Sequence, residues 1–244
     1  MMDSWSFAEE VKLTPINLPR AALQFARELA YPYLDVSAYM TQLRILAETA
    51  YYAAPAGQPP LVRAELLAKF LFQDQGFRGD TADYGNPRNS FLNDVLDRRI
   101  GIPISLSLLY LAIAERIGIT AFGVGLPGHF IVGVQNDDQV AYFDPFHRGQ
   151  RLTLADCAQL VRQTTGYDGA FQPEWLKPVT NEQILARMLN NLRLIYVGRN
   201  LWSQALAVLK LLRQIQPDVP QYERDMGLIY LRLGEIRQAA FLLE

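Results

Sequence analysis

The 244-residue chain is 50% hydrophobic and 20% charged, enough apolar material to bury one large domain and a smaller one. Its formal net charge of -2 supplies no broad positive field for counterion release, so nucleic acid is not an expected partner. The single cysteine, Cys157, excludes an intramolecular disulfide and a multi-cysteine zinc site; with a start, Met1-Met2-Asp3-Ser4-Trp5, that lacks a secretion-signal pattern, it points to a cytoplasmic protein.

In chain order, residues 18–30 place apolar side chains at helical spacing, with Pro19 in the first turn and Pro32 as the stop. A second amphipathic helix over 37–54 is broken by the Pro55 to Pro60 stretch, and a third runs over about 61–72. Residues 74–87, rich in Gly, Asp and Asn around Tyr84, form a loop, and helical spacing returns over 88–99. The apolar run 100–114 is too short for a membrane span and carries Pro103, Ser105 and Ser107. A buried helix over 104–117 is expected, and no membrane association.

Beyond that helix the period changes from near 3.6 to 2. Strands are predicted over 121–126, 129–135 and 139–144, with Asn136-Asp137-Asp138 as hairpin turn chemistry, then a helix over 152–161. Helix followed by a strand meander and another helix is an α+β pattern with a small antiparallel sheet. A linker is expected near 167–178, where Gly169, Pro173 and Pro178 accumulate.

The last third repeats itself. Leu194-Ile195-Tyr196 recurs as Leu228-Ile229-Tyr230, Gln204-Ala205 as Gln238-Ala239 and Leu209 as Leu243, all at an offset of 34. That period, with small residues at Ala205 and Ala239, predicts an all-α tetratricopeptide-type repeat over 180–244 that binds a protein or peptide partner. Gly234 marks the turn inside the second pair.

Both histidines of the chain, His129 and His147, fall in the strand region. His129 opens one strand of the predicted hairpin and Asp144 closes the other, so antiparallel pairing makes them neighbours. A carboxylate beside an imidazole fixes its tautomer and raises its basicity, the orienting half of a nucleophile-His-Asp triad. Ser105, in the first turn of the buried helix, is the candidate hydroxyl nucleophile, and its alternative is a helix-start serine bonded to backbone. Cys157 is expected to be a small core residue. His129, Asp144 and His147 could supply three metal ligands, but Asp144-Pro145-Phe146-His147 is not a zinc pattern and no fourth ligand is evident, so neither metal nor cofactor is expected.

Gly101 before a buried helix, then Gly118-Ile119, His129 and Asp144, is an order similar to the transglutaminase-like (papain-like) core, whose sequence order is Cys, His, Asp. More closely, Gly76-Phe77-Arg78-Gly79, Asn86-Pro87-Arg88-Asn89-Ser90, Gly101-Ile102-Pro103-Ile104-Ser105-Leu106-Ser107, Gly125-Leu126-Pro127-Gly128-His129-Phe130 and Phe143-Asp144-Pro145-Phe146 resemble the bacterial family named for regulation of SirC expression. The resemblance spans essentially the whole chain. It implies a transglutaminase-like domain with a helical N-terminal extension over 1–170, followed by the tetratricopeptide-type repeat. It also places the Gly-x-Cys motif of the enzymes on Gly101-Ile102-Pro103, so the nucleophile position holds a proline.

The implied function is therefore a non-catalytic protein- or peptide-binding scaffold with a degenerate cleft near Tyr84, Asn89, Ser105, Ser107, His129 and Asp144. The alternative is an amide or peptide hydrolase or acyltransferase using Ser105, His129 and Asp144. A structural subunit whose cleft is filled by its own side chains is a third possibility. The sequence does not determine the oligomeric state.

Overall fold

The computed structural model describes residues 5–136 and 139–243. In chain order the elements are α1 (Phe7–Glu10), α2 (Leu18–Leu29), α3 (Val36–Ala53), α4 (Pro60–Lys69), β1 (Arg78–Gly79), α5 (Leu92–Arg98), β2 (Ile100–Gly101), α6 (Pro103–Arg116), β3 (Ala121–Val124), β4 (Ile131–Asn136), β5 (Gln139–Asp144), β6 (Gln150–Leu152), α7 (Leu154–Thr165), β7 (Pro178–Val179), α8 (Asn181–Gly198), α9 (Trp202–Ile215), α10 (Pro220–Arg232) and α11 (Ile236–Leu243). A π-helical turn, Phe70–Asp74, follows α4. None of the helices is long and apolar enough to cross a membrane among the described residues.

Contacts divide the chain into two compact units, one made of Met1–Val36, Gly85–Pro87 and Asn181–Glu244, the other of Ser37–Tyr84 and Arg88–Thr180. The cut differs from the expected partition at 1–170 and 180–244. The N-terminal helices group with the C-terminal ones, because the apolar face of α2 packs on α8 and α9. Pairing of this kind is non-local and leaves no local pattern in the sequence.

The central unit is α+β. Its five-stranded sheet has the order β6-β5-β4-β3-β7, antiparallel throughout. The predicted hairpin is β4 and β5, with Val132 opposite Phe143; its turn at 137–138 lies outside the described residues. Phe122 on β3 stands opposite Gly133, and a Cβ at Gly133 would meet the Phe122 ring at 2.4 Å, so the ring lies across the glycine and would have to shift for any larger residue. Helix α6 packs on β3 and β4 with 11 of its 14 residues buried. That accounts for an apolar run without an amphipathic period. Tyr110 is sandwiched between Phe72 and Phe143, with centroids 6.4 and 6.3 Å away, and donates to the Ala64 carbonyl at 3.0 Å.

The expected linker is part of this unit. Pro178 and Val179 pair with Val124 and Gly123 as the edge strand, while Phe171, Trp175 and Leu176 pack on the cluster of Val124, Leu126, Ile131, Leu152, Cys157 and Val161. A two-residue edge strand has too few positions for alternation to be visible, and its proline needs no ladder partner. The parallel pair β1–β2 was hidden for the same reason.

In the other unit, α8 with α9 and α10 with α11 form two helix pairs joined by short turns. The turn residues Asn200 and Gly234 both have left-handed backbone, φ 57° and 77°, and they are 34 positions apart. Ala205 and Ala239, also 34 positions apart, are both fully buried. The correspondence fails at its last pair: Leu209 is buried, whereas Leu243 is 42% exposed and lies over Gly227. Arg193 on α8 meets Asp225 on α10 at 2.5 Å, tying one pair to the next.

Candidate functional site

The site is built at one end of the β4–β5 hairpin. After β3 the chain turns through Leu126-Pro127-Gly128, and the His129 N–H closes the turn on the Leu126 carbonyl at 3.2 Å. Gly128 has φ 71°, and a Cβ there would meet Thr164 at 2.5 Å, so both backbone and packing require glycine. The strand itself begins at Ile131, two residues later than predicted, which leaves His129 on the turn.

Asp144 ends β5 and is fully buried. Its Oδ2 accepts from His129 Nε2 at 2.8 Å and from His147 Nδ1 at 2.7 Å. Its Oδ1 accepts from the backbone N–H groups of Phe146 at 3.0 Å and His147 at 3.4 Å, an Asx turn that folds the chain back so that His147 returns to its own carboxylate. The two imidazoles stack 5.7 Å apart at 24°. His129 is 5% exposed and His147 half exposed. Sequence reasoning placed His129 beside Asp144 and grouped His147 with them only as a possible metal ligand, not as a second hydrogen-bond partner of the carboxylate. The signal was the Asp-Pro-Phe-His turn itself, whose aspartate favours bonding to backbone two and three residues on.

Burial pushes the Asp144 carboxyl up, but the hydrogen bonds from His129 and His147, reinforced by the charges of both rings, outweigh it and bring the pKa to about 2. The same hydrogen bond raises the His147 imidazole above its ordinary value, against the opposing effect of burial. Asp144 is therefore an anion that holds one imidazole inside the fold and one at the surface.

The other candidates sit elsewhere. Ser105 is fully buried; its hydroxyl donates to the Asn89 carbonyl at 2.6 Å, lies 3.1 Å from the Ile102 carbonyl and accepts from the Ile102 N–H at 3.0 Å. That is half of a capping box, the structural alternative for a serine three residues into a helix. Ser107 is fully buried too, 3.5 Å from the Phe130 carbonyl. Asn89 is fully buried and holds the preceding loop together, donating to Asp80 and to the Asp83 carbonyl at 2.9 Å each and accepting from Arg98 at 3.0 Å. The expected grouping of Tyr84, Asn89 and Ser107 along one cleft is thus corrected, because two of the three have no exposed surface. Tyr84, 49% exposed, does lie near the site: its ring meets Phe146 edge-on at 5.9 Å, and Phe146 meets His129 edge-on at 6.0 Å.

Pro103 is the first residue of α6, where its missing N–H costs nothing. Cys157 lies in the core on α7, and burial, helped by the Asp156 and Asp144 carboxylates, pushes its thiol up to about 11, far from a nucleophilic thiolate at neutral pH. A recess of about 210 Å³ opens beside Asp144 and His147, lined also by Gln150, Asp156, Gln159 and Gln163.

A model of the transglutaminase-like superfamily matches residues 37–190, nearly the span of the central unit. A UPF0162 protein of Xylella fastidiosa strain 9a5c is 34% identical over 239 residues, covering 96% of this chain and 84% of the relative. The chain is a UPF0162 member of the transglutaminase-like superfamily. Human F-box only protein 21 is 32% identical over 188 residues, 71% of this chain and 28% of that protein. Among solved structures, the crystal structure of menin superimposes with a TM-score of 0.47 at 12% identity, covering 97% of this chain and 66% of that one. In this chain His129 and Asp144 are held together, and His147 bonds the same carboxylate oxygen.

Proposed function

We propose that this UPF0162 protein is a non-catalytic scaffold that binds a protein or peptide, with a regulatory role in keeping with its resemblance to the family named for SirC expression. The observation that carries the proposal is the engagement of Ser105: its hydroxyl donates to the Asn89 carbonyl and accepts from the Ile102 N–H, and its full burial keeps the remaining lone pair from an acyl group. The resemblance, which places Pro103 where the superfamily's cysteine stands, and the core placement of Cys157 support the same reading.

Binding is assigned to the C-terminal helices, read as a tetratricopeptide-type repeat. Support comes from the recurring pattern of exposure. Leu194 and Leu228, equivalent at the 34-residue offset, are 64% and 49% exposed, while the interior positions Ala205 and Ala239 are buried. An apolar side chain repeated at the surface at the period of the fold is suited to a partner. The doubly charged variant Leu194→Asp/Leu228→Asp is expected to keep the wild-type urea midpoint, since both side chains are solvated, and to lose at least one protein recovered with the tagged wild type. Quantitative mass spectrometry of the two preparations provides the comparison; recovery of every partner at wild-type levels contradicts the assignment.

The second reading, hydrolysis or acyl transfer through Ser105, His129 and Asp144, draws on the His129–Asp144 hydrogen bond. It requires the Ser105 hydroxyl to leave Asn89 and turn to the imidazole.

A further inference from the structure

The chain has only two histidines, and both bond the same carboxylate oxygen. Orienting one catalytic imidazole needs one of them. We propose that His129 Nε2, Asp144 Oδ2 and His147 Nδ1 form a binding site for a divalent transition-metal ion, with Zn²⁺ as its representative. This goes beyond the scaffold reading and stands apart from it.

The three donor atoms lie within 4.8 Å of one another. Two imidazole nitrogens and one carboxylate oxygen are a borderline-soft set that suits zinc or its neighbours and disfavours calcium and magnesium, which take oxygen ligands. Bonds of about 2.0–2.1 Å in a tetrahedral arrangement separate ligand atoms by about 3.3 Å. The His129–Asp144 and His147–Asp144 distances of 2.8 and 2.7 Å must therefore open by about half an ångström, with the two nitrogens drawing together. His147, half exposed and on a turn, is the ligand able to move. The carboxylate is already oriented, because Oδ1 is held by the Phe146 and His147 N–H groups and leaves Oδ2 for the ion.

The missing fourth protein ligand is no obstacle. A zinc site with three protein ligands keeps its remaining position for water, and the recess lined by His147, Gln150 and Gln163 gives that position access to solvent. Protons balance without an oxidant or reductant. Each imidazole now donates an N–H to Asp144; on metal binding that nitrogen offers its lone pair, the proton resides on the other ring nitrogen, and any doubly protonated ring releases one proton to solvent.

The test uses the full chain stripped with EDTA and titrated with ZnCl₂ by calorimetry in a non-chelating buffer. One equivalent binds with a Kd in the micromolar range or tighter, and His147→Ala weakens binding at least about tenfold with an unchanged far-UV circular dichroism spectrum. Binding far below one equivalent, or equal affinity in His147→Ala, overturns the proposal. Histidine ring NMR of the wild type provides a readout independent of variants: Zn²⁺ shifts the signals of both rings. Movement of the His147 ring alone identifies surface binding by one exposed side chain and overturns the proposal as well.

Discussion

Asp144→Ala is expected to cost about 3 kcal/mol of stability, read as a fall in the urea midpoint with an unchanged slope. The carboxylate accepts four hydrogen bonds while fully buried, so its removal strands the buried His129 donor and the Phe146 N–H. Each buried group left without a partner costs about 1–3 kcal/mol, whereas the half-exposed His147 ring can turn to water. Asp144→Asn keeps the shape and loses the charge, and its deficit depends on pH. The Asp144 pKa is depressed from 3.8 to about 2 in the folded protein. The stability it contributes is therefore fully present above pH 4 and lost as the pH falls through about 2. In metal-free buffer, wild type and Asp144→Asn should differ most between about pH 4 and the ordinary histidine pKa of 6.5, converge toward pH 2 as Asp144 protonates, and draw closer again as the pH rises through the raised His147 pKa. A gap independent of pH would show that the carboxylate's ionised form is not what the two imidazoles stabilise.

Arg63 should rank with Asp144. It lies inside α4, 8% exposed, and its guanidinium donates to three carbonyls: Ala54 at 3.2 Å, Gly118 at 3.1 Å and Ile117. Ala54 follows the last turn of α3, and Ile117 and Gly118 follow α6, so one cation satisfies unpaired carbonyls at the negative ends of two helices. Arg63→Ala leaves the Ala54 and Ile117 carbonyls buried without partners, and a loss of about 3 kcal/mol in urea denaturation is expected. Arg63→Lys retains the charge but cannot reach three acceptors from one nitrogen, so it should recover only part of that loss. Full recovery by lysine would show that charge, and not the planar fork, is what the position needs.

These two positions also mark what the sequence made visible. Asp144 was found because a period-2 pattern on both sides of a turn fixes which residues face each other, and because the chain holds only two histidines to pair with it. Arg63 was not found. An arginine inside an amphipathic helix looks like any solvated charge, and its partners lie 9, 54 and 55 residues away.

The same distinction holds across the fold. Helices α2 and α3 and the β4–β5 hairpin were legible from periodicity, and α6 from an apolar run too short for a bilayer. The sheet edge at Pro178–Val179 was hidden in proline-rich sequence, and the grouping of α2 with α8 and α9 depends on packing alone. At the site, residue type suggested that Ser105 and Asn89 face a ligand, whereas the Ser105 hydroxyl bonds the Asn89 backbone carbonyl 16 residues away and the Asn89 side chain is taken up by Asp80, Asp83 and Arg98.

The proposal that this transglutaminase-like domain performs no acyl transfer is tested most directly by covalent labelling of the wild type at neutral pH with a serine-directed fluorophosphonate probe, read by intact mass, alongside Ser105→Ala. The predicted result is no adduct on either protein. A stoichiometric adduct on the wild type that disappears in Ser105→Ala would contradict it, because the Ser105 hydroxyl would then have to leave Asn89 and react with His129 as its base.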